Sequence, residues 1–80
     1  MALRTPKAAP AESIDKRLGA RLKAARLERG FTLDVMGKHI GVRFNTVFKT
    51  ESGLCKITVE RLLDSAKALN RPAADFLRGL

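Results

Sequence analysis

Between Gly41 and Gly53 the chain reads GVRFNTVFKTESG, and this stretch holds the side chains best suited to bind something. At about 100° per residue, Phe44, Val47 and Phe48 share one arc of a helix, while Asn45, Lys49 and Ser52 share another. Periodicity alone would bury all three apolar residues and leave an amide, an ammonium and a hydroxyl facing outward. The chemistry on offer is recognition by hydrogen bonds and charge. The open question is whether the phenylalanines face the core or a partner.

Catalysis is not expected. No serine, histidine and acid set, no paired carboxylates in an apolar pocket and no phosphate-cradling glycine loop can be assembled from the sequence. His39 is the single histidine and has no cysteine or carboxylate companion at metal-ligand spacing, so it reads as an exposed helix residue. Cys55 is the single cysteine, which excludes an internal disulfide and a cysteine zinc cluster and suits a reducing cytosol. A redox-sensing thiol beside Lys56 is conceivable, but an inert loop residue is the expectation. No cofactor and no metal are expected.

The charge points to an anionic partner. Sixteen basic residues against eight acidic ones give a net charge of +8 in 80 residues. Most of the excess precedes residue 31, where Arg4, Lys7, Lys16, Arg17, Arg21, Lys23, Arg26 and Arg29 face only Glu12, Asp15 and Glu28. Such a field attracts nucleic acid or an anionic membrane. No apolar stretch reaches spanning length, and a signal-peptide hydrophobic region is lacking. The basic residues Lys16, Arg17, Arg21 and Lys23 could lie on a membrane surface, but a solvated face that adds to a general attraction for DNA is the expectation.

The elements that must position these groups are short helices. Residues 1 to 12 hold two of the three prolines without apolar periodicity, and read as a flexible basic arm whose Arg4 and Lys7 could dip into a minor groove, although a solvated tail is the expectation. Ser13 can cap a first helix in which Ile14, Leu18, Leu22 and Ala25 share a face, running to about Arg29 before Gly30. Thr32 can cap a second helix with Val35, Met36 and Ile40 as apolar positions, ended by Gly41. A third covers Phe44 to about Glu51, with Gly53 after it. Thr58 caps a fourth, which ends near Asn70, with Ile57 and Leu62 as a hydrophobic staple and Val59, Leu62, Leu63, Ala66 and Leu69 on one face. Pro72 suits the first position of a last helix anchored by Phe76 and Leu77. The expectation is an all-α bundle of five helices forming one domain over residues 13 to 80.

Two short helices joined by a glycine turn, the second with a mixed polar face, are the sequence form of a helix-turn-helix. The stretch RLKAARLERGFTLDVMGKHIGVRFNTVFKTESG resembles the phage-repressor and Cro-like helix-turn-helix family, often called XRE. The likeness runs from about Leu18 to Leu77. It is carried by Arg26, the RG at 29 and 30, Thr32, the GKHIGV turn, Val47, the ESG at 51 to 53 and the AKALNRPAADFL ending. A bacterial subgroup of the family has a phenylalanine early in its third helix, matching Phe44, with glycines spaced like Gly37 and Gly41.

The resemblance implies that Gly37 lets the third helix cross closely, and that Arg26 and Glu51 form a structural ion pair from helix one to the end of helix three. It turns Val47 and Thr50 inward and aims Phe44, Asn45, Phe48 and Lys49 at the major groove, with Phe44 half tucked and Phe48 the more exposed. In that setting an aromatic can touch thymine methyls, Asn45 can pair with adenine, and Lys49 can reach guanine or a phosphate. Core packing or a protein contact remain alternatives for Phe48. Phosphates would fall to the helix-two N-terminus around Thr32 and to Arg43, Ser52 and Lys56. The sequence departs from the family pattern at three positions. Arg43 replaces a capping Ser or Thr, Leu33 replaces a polar residue, and Thr50 replaces a bulky apolar one, which suggests an underfilled core or a neighbour such as Phe48 swinging in.

The expected function is a sequence-specific transcriptional regulator, a repressor acting by occupancy as a homodimer on a pseudo-palindromic operator of double-stranded DNA, in the cytoplasm and without cofactor. Phe76, Leu77 and Leu80 are expected to supply the dimer interface. The alternative is an antitoxin that holds a toxin protein through Phe48 and the C-terminal surface while regulating its own operon. A third possibility is a helix-turn-helix that has lost base reading and keeps only salt-sensitive binding.

Overall fold

A computed structural model describes residues 13–80, in which five helices follow one another without a strand among the described residues. The basic arm expected over residues 1 to 12, with Arg4 and Lys7, lies outside the described residues.

Helix α1 spans Ile14–Glu28 and starts at Ser13, whose hydroxyl accepts the Lys16 amide at 3.1 Å. Helix α2 spans Leu33–Ile40, and Thr32 caps it in the same way through the Val35 amide, 3.1 Å. Helix α3 spans Phe44–Glu51 and begins at Arg43 with no side-chain cap. Helix α4 spans Val59–Ala68, capped by Thr58 on the Arg61 amide, and α5 spans Ala73–Leu77. Pro72 sits one residue earlier than expected. It is the extended N-cap rather than the first helical residue, and from there its missing N–H removes no intrahelical bond.

The core draws Leu18, Leu22 and Ala25 from α1, Met36 from α2, Val47 from α3, Leu62, Ala66 and Leu69 from α4 and its cap, and Phe76 from α5. Ile57 packs on it from the position before the Thr58 cap, beside buried Leu62. Not every apolar residue on the expected faces is inside. Ile14 in the first turn of α1 is exposed, as are Val59 and Leu63 on α4. Helix α4 packs against α2 and α5, and its apolar arc is wider than those neighbours cover.

The expected dimer interface needs correction. Phe76 is 2% exposed and belongs to the core, because α5 must close the gap between α1 and α4 in so short a chain. Leu80 also packs against the core, so of the three residues only Leu77 is exposed.

Close backbone approach sets the angles. A Cβ on Gly19 would lie 2.5 Å from the Thr50 carbonyl oxygen and 2.6 Å from that of Glu51, so α1 touches the end of α3 main chain to main chain. A Cβ on Gly37 would lie 2.5 Å from the Val42 carbonyl oxygen. The close neighbour of Gly37 is thus the turn, not α3 itself, and Val42 N–H donates to the Gly37 carbonyl at 2.9 Å. Gly41, at φ +77°, supplies the left-handed step that reverses the chain between α2 and α3.

The basic face of α1 is partly structural, contrary to the solvated face expected. The Arg21 guanidinium donates to the carbonyls of Phe76 and Arg78, and Arg17 donates to that of Gly79 at 3.0 Å. These arginines hold the carbonyl end of α5, where cations suit the helix dipole. Lys16 and Lys23 remain exposed.

Candidate nucleic-acid interface

Helix α3 is clamped along one side and open along the other. Val47, Thr50 and Glu51 are buried, whereas Phe44, Asn45, Phe48 and Lys49 are exposed. Phe44 and Phe48 are equally open at 53% each, so Phe44 is not the more tucked of the two. Both lie away from the arc that meets α1 and α2, which Val47 and Thr50 already fill.

Two features make the clamp rigid. The Arg26 guanidinium donates from Nε to Glu51 Oε2 at 2.7 Å and from Nη2 to Oε1 at 3.1 Å, with both side chains under a tenth exposed. Its Nη1 donates to the Phe31 carbonyl at 2.7 Å, so one buried cation ties α1, the α1–α2 loop and the end of α3 together. Thr50 solves its polarity locally, since its hydroxyl donates to the Thr46 carbonyl at 2.9 Å and lies 3.7 Å from Cys55 Sγ. Phe48 therefore does not swing in to fill the site, which the Thr50 side chain occupies with its hydroxyl satisfied.

The electrostatics of the open side favour an anion. The one acid of α3, Glu51, is buried and neutralised by Arg26, and its first turn holds none. Around it Arg43, Lys49 and Lys56 are exposed and Ser52 is half-buried. At the start of α2 the Thr32 hydroxyl is engaged as a cap, and the first amides of the helix have no intrahelical acceptor. Asp34 in that turn opposes an anion there, although Lys38 faces it at 3.8 Å.

Some contacts that fix this surface are not legible in spacing. Asp15 accepts the Ile57 amide at 3.0 Å, which anchors the loop carrying Lys56 to α1. His39 is exposed but not idle. Its ring stacks on Phe31 with centroids 4.8 Å apart, and Arg29 lies over the same phenylalanine at 5.2 Å. That cluster steadies the entry to α2.

No family model matches the chain. An HTH-type transcriptional regulator of Sinorhizobium medicae is 29% identical over 63 residues, which cover 79% of this chain and 45% of the relative. A second, from Rhizobium meliloti, matches equally well. The chain thus spans under half the length of these curated relatives. Among solved structures, the clp gene regulator ClgR of Corynebacterium glutamicum superposes with a TM-score of 0.81 at 27% identity, over 84% of this chain and 87% of that one. The P22 c2 repressor in complex with a synthetic operator gives a TM-score of 0.70 at 27% identity, over 79% and 96%. The DNA-binding domain of BldD gives 0.73 at 26%, over 84% and 97%. Five helices in this order, a glycine turn between α2 and α3, and these likenesses lead to one statement: the chain has the fold of helix-turn-helix DNA-binding regulators of the phage-repressor type and is similar to them in sequence.

Proposed function

We propose that the chain is a transcriptional regulator that reads a specific operator with the open side of α3 and represses by occupying it as a homodimer in the cytoplasm. The observation that carries this reading is the division of α3 itself. Phe44, Asn45, Phe48 and Lys49 are exposed on a helix whose other side is fixed by Val47, Thr50 and the Arg26–Glu51 pair. A reading helix needs outward groups held at a fixed angle, because base-edge contacts are directional.

In this reading Asn45 pairs with adenine, Lys49 reaches guanine or a phosphate, and Phe44 and Phe48 meet thymine methyls. Arg43, Ser52, Lys56 and the α2 terminus at Thr32 take phosphates and set register. Selection of binding sites from random duplexes tests it. An inverted repeat with centres about one helical turn apart is expected, and absence of any enriched sequence would overturn the reading.

The two open phenylalanines also favour a second reading, an antitoxin that holds a toxin protein. A stoichiometric protein partner retained through Phe48, and lost in Phe48→Ala, would select it over the first.

A further inference from the structure

Helix α4 carries an apolar stripe that nothing among the described residues covers. Val59 is 73% and Leu63 50% exposed, beside a groove that Ala66 and Ala73 also line. Charges of both signs border it in order along the chain. Glu60 lies in the first turn of α4 and Asp64 near its middle, with Lys67 near its end and Arg71 beyond it. Glu60, Asp64 and Lys67 have no ion-pair partner among the described residues, and Arg71 pairs with exposed Glu28.

We infer that this stripe is the surface on which a second copy of the chain docks, α4 against α4 in antiparallel fashion. A two-fold axis requires a patch that complements itself, so that residue i meets j and j meets i. Acid before base along one helix meets that requirement when the partner helix runs the other way. An axis passing near Ala66 sets Asp64 toward the partner's Lys67 and Glu60 toward the partner's Arg71. It also lowers each Leu63 toward the groove of the other copy. A parallel arrangement would set acid against acid. Since α4 packs against α2 and α5, pairing there leaves the open side of α3 free.

The inference rests on the homodimer reading above and replaces its C-terminal interface. A ten-residue helix is about 15 Å long, so the contact is small and the free dimer is expected to be weak, tightened when two half-sites hold both copies.

The test is sedimentation of the full chain and of two exposed variants, Asp64→Lys and Lys67→Glu, with circular dichroism to confirm folding. Each variant alone sets like charges together and is expected to dimerise at least about tenfold more weakly. Mixed in equal amounts they set opposite charges together at both contacts, and dimer is expected to return. Full-strength dimer in both single variants, or no recovery in the mixture, would overturn the α4 interface while the homodimer reading stands. A wild type that stays monomeric to about 1 mM, alone and on the selected operator, would overturn both.

Discussion

Replacing Glu51 by glutamine keeps the shape of the Arg26–Glu51 contact and removes its charge. The two side chains are 7% and 6% exposed, so water cannot take over the role of the lost carboxylate. One of the two guanidinium bonds, at 2.7 and 3.1 Å, would face an amide NH2, donor against donor. Removing one partner of a buried pair costs about 3–5 kcal/mol, against a total of about 5–15 kcal/mol for a domain. At about 4–8 °C per kcal/mol for a chain of this size, Tm should fall by at least roughly 12 °C. Thermal and urea unfolding followed by circular dichroism would read it. The cause is separable from loss of packing by the double variant Arg26→Met with Glu51→Leu. It buries no charge, although it leaves the Phe31 carbonyl without the donor now at 2.7 Å, at a cost of about 1–3 kcal/mol. It should be more stable than Glu51→Gln alone. A Glu51→Gln protein within about 1 kcal/mol of wild type would refute the reasoning.

Three further outcomes follow from the same geometry. Gly19→Ala places a methyl 2.5 Å from the Thr50 carbonyl oxygen, where only backbone can yield, and should cost about 1–3 kcal/mol or more in urea unfolding. Arg43→Ser supplies the cap that α3 lacks, so stability should rise by about 0.5–2 kcal/mol while the salt dependence of operator binding loses about one phosphate contact. Phe48→Ala should leave Tm nearly unchanged, since the ring is 53% exposed, and weaken operator binding measurably.

What could be read from the sequence was local. Ser13, Thr32 and Thr58 act as caps within three residues of themselves, and Gly41 takes its left-handed conformation by the chemistry of a single position. The whole of α3 was legible for the same reason, including the missing cap at Arg43. Contacts between distant segments were not, apart from the Arg26–Glu51 pair that the family resemblance implied. Asp15 read only as one of the few acids among the basic residues, yet its carboxylate accepts from Ile57, 42 residues away. Arg17 and Arg21 read as solvated charge, but the return of the chain past α5 brings carbonyls within their reach. Phe76 read both as the anchor of the last helix and as interface, because periodicity marks a residue as apolar without saying which apolar surface it meets, and the structure selects the anchor. The open side of α3 posed the same problem in reverse. Spacing alone placed Phe44 and Phe48 with Val47 inside, whereas α1 and α2 leave room only for Val47 and Thr50.

The measurement closest to the central claim is fluorescence anisotropy of the protein on its selected operator and on a scrambled duplex, at several salt concentrations, for wild type and Lys49→Ala. A sequence-specific regulator should prefer the operator by at least about a thousandfold, with the preference reduced by Lys49→Ala. Equal, weak and steeply salt-dependent binding to both duplexes would contradict the account, because it would mean that charge alone draws the protein to DNA.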